Sequence, residues 1–456
     1  MRKILCYNNY SKTEVPKSKC ASVFFILFRC CFSDFFITLF TTAIFRLEIF
    51  CKIQYTAHMK KELELYVHIP FCVRKCAYCD FLSAPATEAV QTEYIEALKQ
   101  EIRENANLSR EYEVSTVFFG GGTPSILPGE QIEAVLDELR RQFEFRHEAE
   151  ITVECNPGTL TREKLVCYGR AGVNRLSIGL QSARNEELKA LGRIHTWETF
   201  LESYDLAREA GFSNINVDLM SALPGQTLGS WRDTLKKVLK LKPEHISAYS
   251  LIIEEGTPFY EMYGDGNEES RGDCRIQLPD LPDEDDERQM YYDTKALLEE
   301  AGYFRYEISN YSKPGRECRH NLGYWRRVDY KGFGIGAASL ISGCRLQNES
   351  DLAAYLRREF AYASRETLTR ADELSETMFL GLRTTEGVKL TEEMRRVYEA
   401  VLEKYISQGF LKEQSGSLQL TEAGLDVSNC ILAEFLLDQE ELEEAGMNMT
   451  GGEMHK

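Results

Sequence analysis

The chain lacks a clean membrane-spanning run. In the Phe-rich stretch CASVFFILFRCCFSDFFITLFTTAIF, Arg29 and Asp34 interrupt the apolar residues, whereas a spanning helix needs roughly 20 nearly uncharged positions. It lacks a small-residue cleavage site of clear type, so no secretory signal is read there. It lacks an excess of positive charge. A formal net charge of −18 over 456 residues argues against a phosphate-tracking surface, and no nucleic-acid partner is expected. It also lacks a disulfide framework. Fourteen cysteines are present, but no short domain with regular spacing holds them, and the only tight group has a metal-ligand look. A reducing cytoplasm is the expected setting. That group, YVHIPFCVRKCAYCDF, lacks a fourth thiol. Cys72, Cys76 and Cys79 are spaced C-x3-C-x2-C, and Phe81 stands where a fourth could have been.

Residues 1–58 differ from the rest, with eight Lys and Arg against Glu14, Asp34 and Glu48. The reading is an extension outside the fold, with Met59 as the natural start, because MKKELELYVHIPF opens directly on a strand. A membrane-anchoring role is the alternative.

From residue 59 to 262, β-branched and aromatic runs at 63–71, 114–122, 150–157, 175–182, 215–224 and 245–253 alternate with helical patterns such as TEYIEALKQEIRENA. Strand–helix alternation implies parallel strands with crossover helices. Six units suit an α/β class fold, a full or partial TIM-like (β/α)6 barrel, with chemistry at the carboxyl ends of the strands. Residues 263–349 open on an acidic, aperiodic insertion and are expected to complete the core. Residues 350–438 read as helix, helix and β-hairpin, a mainly helical, winged-helix-like packing domain. Residues 439–456 are expected to be a disordered tail.

Three thiolates can hold three irons of a 4Fe–4S cubane and leave the fourth iron open to an exchangeable ligand. The competing assignment is a zinc site completed from elsewhere, for example by His68. Further polar residues fall at strand ends: GGGTPS (Gly120–Ser125), whose glycines let backbone approach a ligand closely, Glu154 in VECNPG, Gln181 in SIGLQS and Asp218 in NVDLM. Arg193 in LGRIH is a fixed cation suited to a carboxylate.

The cysteine loop followed in order by these elements resembles the radical S-adenosylmethionine (SAM) superfamily. From Tyr66 to about Leu432 the chain is similar to the oxygen-independent coproporphyrinogen III oxidase group. The resemblance implies a 4Fe–4S cluster on Cys72, Cys76 and Cys79. It implies SAM contacts at Tyr66, Tyr78, Gly121, Gly122, Thr123, Glu154, Gln181, Arg193 and Asp218, and a C-terminal domain like that of HemN. Two features point to the HemW-like heme chaperone branch of the group. The oxidases carry a further cysteine two residues after the third, where this chain has Phe81. CRHNLGYW matches that branch's HNxxYW signature, which implies heme contacts at His320, Asn321, Tyr324 and Trp325. Imidazole is a common heme ligand and aromatic rings can flank a porphyrin; Cys318 is a second candidate ligand. The resemblance therefore implies a chaperone that binds heme and passes it to acceptor proteins, membrane respiratory enzymes among the candidates, with no catalytic side chain assigned. The alternative is an enzyme of porphyrin metabolism, oxidatively decarboxylating coproporphyrinogen III through a 5′-deoxyadenosyl radical.

Overall fold

Six strands run parallel and in sequence order through the centre of a twelve-stranded sheet. They are β1 (Lys61–Ile69), β2 (Tyr112–Gly121), β3 (Phe145–Cys155), β4 (Arg175–Gln181), β5 (Ile215–Ser221) and β6 (His245–Ser250). The structure is a computed structural model that describes residues 60–264 and 279–444. The extension 1–58, most of the acidic insertion and the tail beyond 444 lie outside the described residues.

Helices Glu88–Glu104, Gly129–Gln142, Arg162–Ala171, Trp197–Glu209 and Leu228–Leu241 connect the six strands. Four of them begin at a threonine, Thr87, Thr161, Thr196 and Thr227. Each hydroxyl accepts a first-turn backbone N–H, a cap typically worth about 1 kcal/mol. Along β1, Leu63, Leu65, Val67 and Ile69 join the apolar core shared with the helices. The alternate residues Glu64, Tyr66 and His68 therefore point to the other face. The same alternation on β2 to β6 gives an inner face rich in polar groups, including Thr116, Glu150, Glu154, Arg175, Ser177, Asn216, Asp218 and His245. The strands are covered on both sides, yet one side is polar.

The sheet continues past the six units at both edges. At one edge β7 (Phe304–Arg305) and β8 (Asn310–Ser312) add antiparallel to β6. At the other, β9 (Tyr330–Phe333) runs parallel to β1, followed by β10 (Ala338–Ile341), β11 (Cys344–Asn348) and β12 (Tyr362–Thr367). Helix Arg319–Trp325 packs against the inner face.

Two boundaries differ from the sequence reading. Cys344 to Asn348 pair with Thr367 to Tyr362, so the main sheet claims the chain through Thr367 and the C-terminal unit starts near 368 rather than 350. That unit has its own apolar core, including Met378, Leu418, Ile431 and Phe435. It contains helices Arg370–Gly381, Glu392–Val397 and Glu399–Ser407, with an antiparallel sheet of β13 (Val388–Lys389), β14 (Leu411–Gln414) and β15 (Ser417–Leu420). At its end Gln439–Glu444 is helical and Leu442 is buried in the same core. The first residues assigned to the tail therefore belong to the fold.

Candidate cluster and cofactor site

The cysteine loop leaves β1 at Pro70 and is closed at its base by Cys72 N–H to Ala84 O (3.2 Å) and Ala84 N–H to Pro70 O (3.0 Å). The end of β2 is stitched beneath it. Gly122 N–H donates to Ile69 O (2.9 Å) and Thr123 N–H to Phe71 O (2.8 Å). These bonds explain the glycines. Gly121 has φ +105°, and a Cβ there would collide with the His68 ring, while at Gly122 it would lie 2.7 Å from Phe71 O.

Cys72, Cys76 and Cys79 are free, half-buried thiols. Cys72 Sγ lies 3.4 Å from Thr123 Oγ1, and Arg193 Nη1 donates to Cys76 Sγ at 3.7 Å. Burial pushes the Cys79 thiol up, and the neighbouring Cys76 and Cys72 add to the shift. Three thiols that repel one another as thiolates, with a guanidinium beside them, suit a cationic iron–sulfur unit. A single zinc ion suits the loop less well. His68, the fourth zinc ligand considered above, has Nδ1 bonded with Tyr66 OH (3.1 Å) and Nε2 with Leu82 O (2.9 Å).

The other strand-end residues converge on the same end of the sheet. Glu154 Oε2 accepts from Gly121 N–H (3.3 Å), and burial, then Asp218, pushes its carboxyl up to about 8. Asp218 is raised by burial and accepts from Asn216 Nδ2 (2.7 Å) and Ser177 Oγ (3.1 Å). Gln181 sits at φ +72°, a conformation costly for a residue with a side chain, and accepts from Tyr249 OH (3.0 Å). Burial raises the Tyr66 and Tyr78 hydroxyls. Arg193 Nη2 donates to Gly179 O (2.6 Å) and to Asn156 Oδ1 (2.9 Å). Asn156, Ser177, Asn216 and Tyr249 went unread in the sequence. Only Asn156, directly after β3 in ECNPG, had a local cue.

HNLGYW forms the short helix on the inner face. Its first turn is capped by Glu150, which accepts from Arg319 N–H (3.1 Å) and His320 N–H (3.3 Å). His320 is 1% exposed. Its Nδ1 bonds with Thr116 Oγ1 (2.6 Å) and its Nε2 with Tyr324 OH (2.9 Å), and its ring stacks on Phe118 at 5.1 Å. Burial, then Arg175, lowers its pKa to about 3. The imidazole is therefore neutral, with both nitrogens engaged. Cys318 is fully buried, its thiol pushed up to about 12 by burial. Asn321 and Trp325 are half-buried, and the Arg383 guanidinium lies 4.7 Å over the Trp325 ring. Phe118 also stacks on Tyr66 at 6.4 Å, so an aromatic column joins the SAM candidates to this helix.

Residues 66–238 match the radical SAM superfamily, and residues 368–427 match the HemN C-terminal domain. The chain is 36% identical to heme chaperone HemW of Bacillus subtilis (strain 168) over 383 residues, 81% of this chain and 98% of that protein. It is 36% identical to heme chaperone HemW of Escherichia coli (strain K12) over 388 residues, 82% of this chain and 98% of that protein. Among solved structures, coproporphyrinogen III oxidase (HemN) from Escherichia coli, described as a radical SAM enzyme, superposes with a TM-score of 0.69 at 26% identity. That match covers 83% of this chain and 90% of that one.

Proposed function

The chain belongs to the heme chaperone HemW family within the radical SAM superfamily, and from that membership we propose that it binds heme and hands it to acceptor proteins. A 4Fe–4S cluster is held by Cys72, Cys76 and Cys79, with SAM beside it. The observation that carries this reading is similarity over nearly the whole length of the relatives, joined to a loop of three thiols and no fourth. Phe81, at the position of the oxidases' extra cysteine, is 61% exposed. The acceptors, membrane respiratory enzymes among them, belong to the proposal, as does a cytoplasmic location.

The residues divide the work. Cys72, Cys76 and Cys79 would hold the cluster through three sulfurs, and the cluster, when bound, would supply an electron to SAM or a means of sensing it. Arg193 and Asp218 offer an anchoring cation and a hydroxyl acceptor, and the Gly120–Thr123 turn brings backbone N–H groups close. Heme ligation through His320 would require its bond to Thr116 or to Tyr324 to break.

Anaerobic reconstitution followed by addition of hemin or coproporphyrinogen III tests the proposal. Stoichiometric heme binding without decarboxylated product is expected. Decarboxylated product without heme binding would instead assign the oxidase activity, the second reading that the likeness to HemN keeps in play.

A further inference from the structure

Asn156 stands at the middle of a chain of hydrogen bonds around the cysteine loop. Its Nδ2 donates to Thr123 Oγ1 at 2.8 Å, and its Oδ1 accepts from Arg193 Nη2 at 2.9 Å. A guanidinium only donates, so the amide can face its partners in one way. Thr123 Oγ1 accepts from Asn156, which leaves the threonine hydrogen for Cys72 Sγ, 3.4 Å away. Arg193 turns its other terminal nitrogen to Cys76 Sγ at 3.7 Å. Asn156 is itself fixed, its N–H donating to Ser125 Oγ at 3.1 Å. The ground beneath is tight. A Cβ on Gly179 would lie 3.2 Å from Arg193 Nη2 and 3.3 Å from Asn156 Oδ1. Two of the three thiols thus face a donor, and both donors are oriented by one amide.

We propose that Asn156 is a positioning residue that aims Thr123 and Arg193 at the Cys72 and Cys76 sulfurs, and so sets the reduction potential of the cluster they hold. This rests on reading the loop as the cluster site. Asn156 touches no sulfur and is not among the residues picked out by the family resemblance. Hydrogen bonds to cluster sulfurs stabilise the more negative, reduced state and raise the potential; losing them lowers it.

The test is redox titration of the anaerobically reconstituted full chain without SAM, followed by electron paramagnetic resonance. Asn156→Leu removes donor and acceptor without adding charge, Thr123→Val removes the hydroxyl, and Thr123→Ser keeps it. The Leu and Val variants are expected to bind the cluster with a more negative potential. A tenfold change in the reduction equilibrium corresponds to about 59 mV for one electron. The Ser variant stays at the parent potential, and the Leu/Val double variant moves no further than Asn156→Leu alone, because the Thr123 route is one of the two that Asn156 orients and is already lost in that variant. A parental potential in Asn156→Leu, or additive shifts in the double variant, overturns the proposal. If Asn156→Leu fails to retain iron, the Thr123 pair decides, and equal potentials for Val and Ser overturn it. A parent chain that takes up no cluster would overturn the cluster reading itself, before any variant is compared.

Discussion

Glu64 is a carboxyl with almost no solvent, and its Oε2 has no hydrogen-bond partner among the described residues. Burial, then Glu62 and Glu150, raises its pKa to about 9. His320 Nδ1 is 3.8 Å away and its ring is neutral; the Thr116 hydroxyl and the Arg319 charge favour the carboxylate but do not offset the burial. A folded-state pKa above the unfolded value means stability that is present in full below about 4.5 and lost as pH rises toward about 9. Glu64→Gln mimics the protonated acid. The variant should match the parent in urea denaturation at pH 5 and exceed it at pH 9. A parent that gains stability relative to the variant over that interval would refute the assignment. His320→Ala leaves the Thr116 and Tyr324 hydroxyls without their shared partner, at an expected cost of about 1–3 kcal/mol. With both ring nitrogens engaged, the expected result is lower thermal stability and a retained Soret titration with hemin; loss of the Soret band would restore His320 as the iron ligand. Cys72→Ala, Cys76→Ala and Cys79→Ala should each abolish the 4Fe–4S absorption after reconstitution, and a variant that keeps it would remove that residue from the ligand set.

At the scale of elements, the inner-face helix is seated closely. A Cβ on Gly323 would collide with the Glu64 carboxylate, so this glycine serves packing. In a free helix, Gly→Ala favours folding by about 1 kcal/mol. Here overpacking, typically about 1–3 kcal/mol, opposes that gain, and Gly323→Ala should lower the denaturation midpoint. A raised midpoint would mean that the helix can shift off β1. The alternation of strands and helices was legible in the sequence, because each run is long enough to show its own period and four of the five connecting helices carry their own threonine cap. The claim of β12 on residues 362–367 was not, since those six exposed residues are placed by pairing with β11 rather than by any burial pattern of their own.

For the whole molecule, the described core from Lys61 onward supplies every strand that builds the site. A chain beginning at Met59 should therefore stay soluble, retain its cluster and bind heme like the full chain, as read from iron content and Soret absorption. Loss of the cluster on that truncation would make residues 1–58 part of the working protein. The cysteine spacing, the glycine turn and the polar strand ends could be read directly, because each is a local pattern that short-range covalent geometry carries to one place. The inner-face network could not. Thr116 and His320 are 204 residues apart, and nothing near either one announces the other. Sequence by itself determined the six-unit rhythm, the three-thiol loop and the family, all written in short spacings and local periods. Tertiary structure decided that both His320 ring nitrogens are engaged, that Glu64 lies buried beside it, and that Asn156 links two donors to two thiols. Those facts depend on which strand faces meet across a sheet, and burial and hydrogen bonding exist only once they have met.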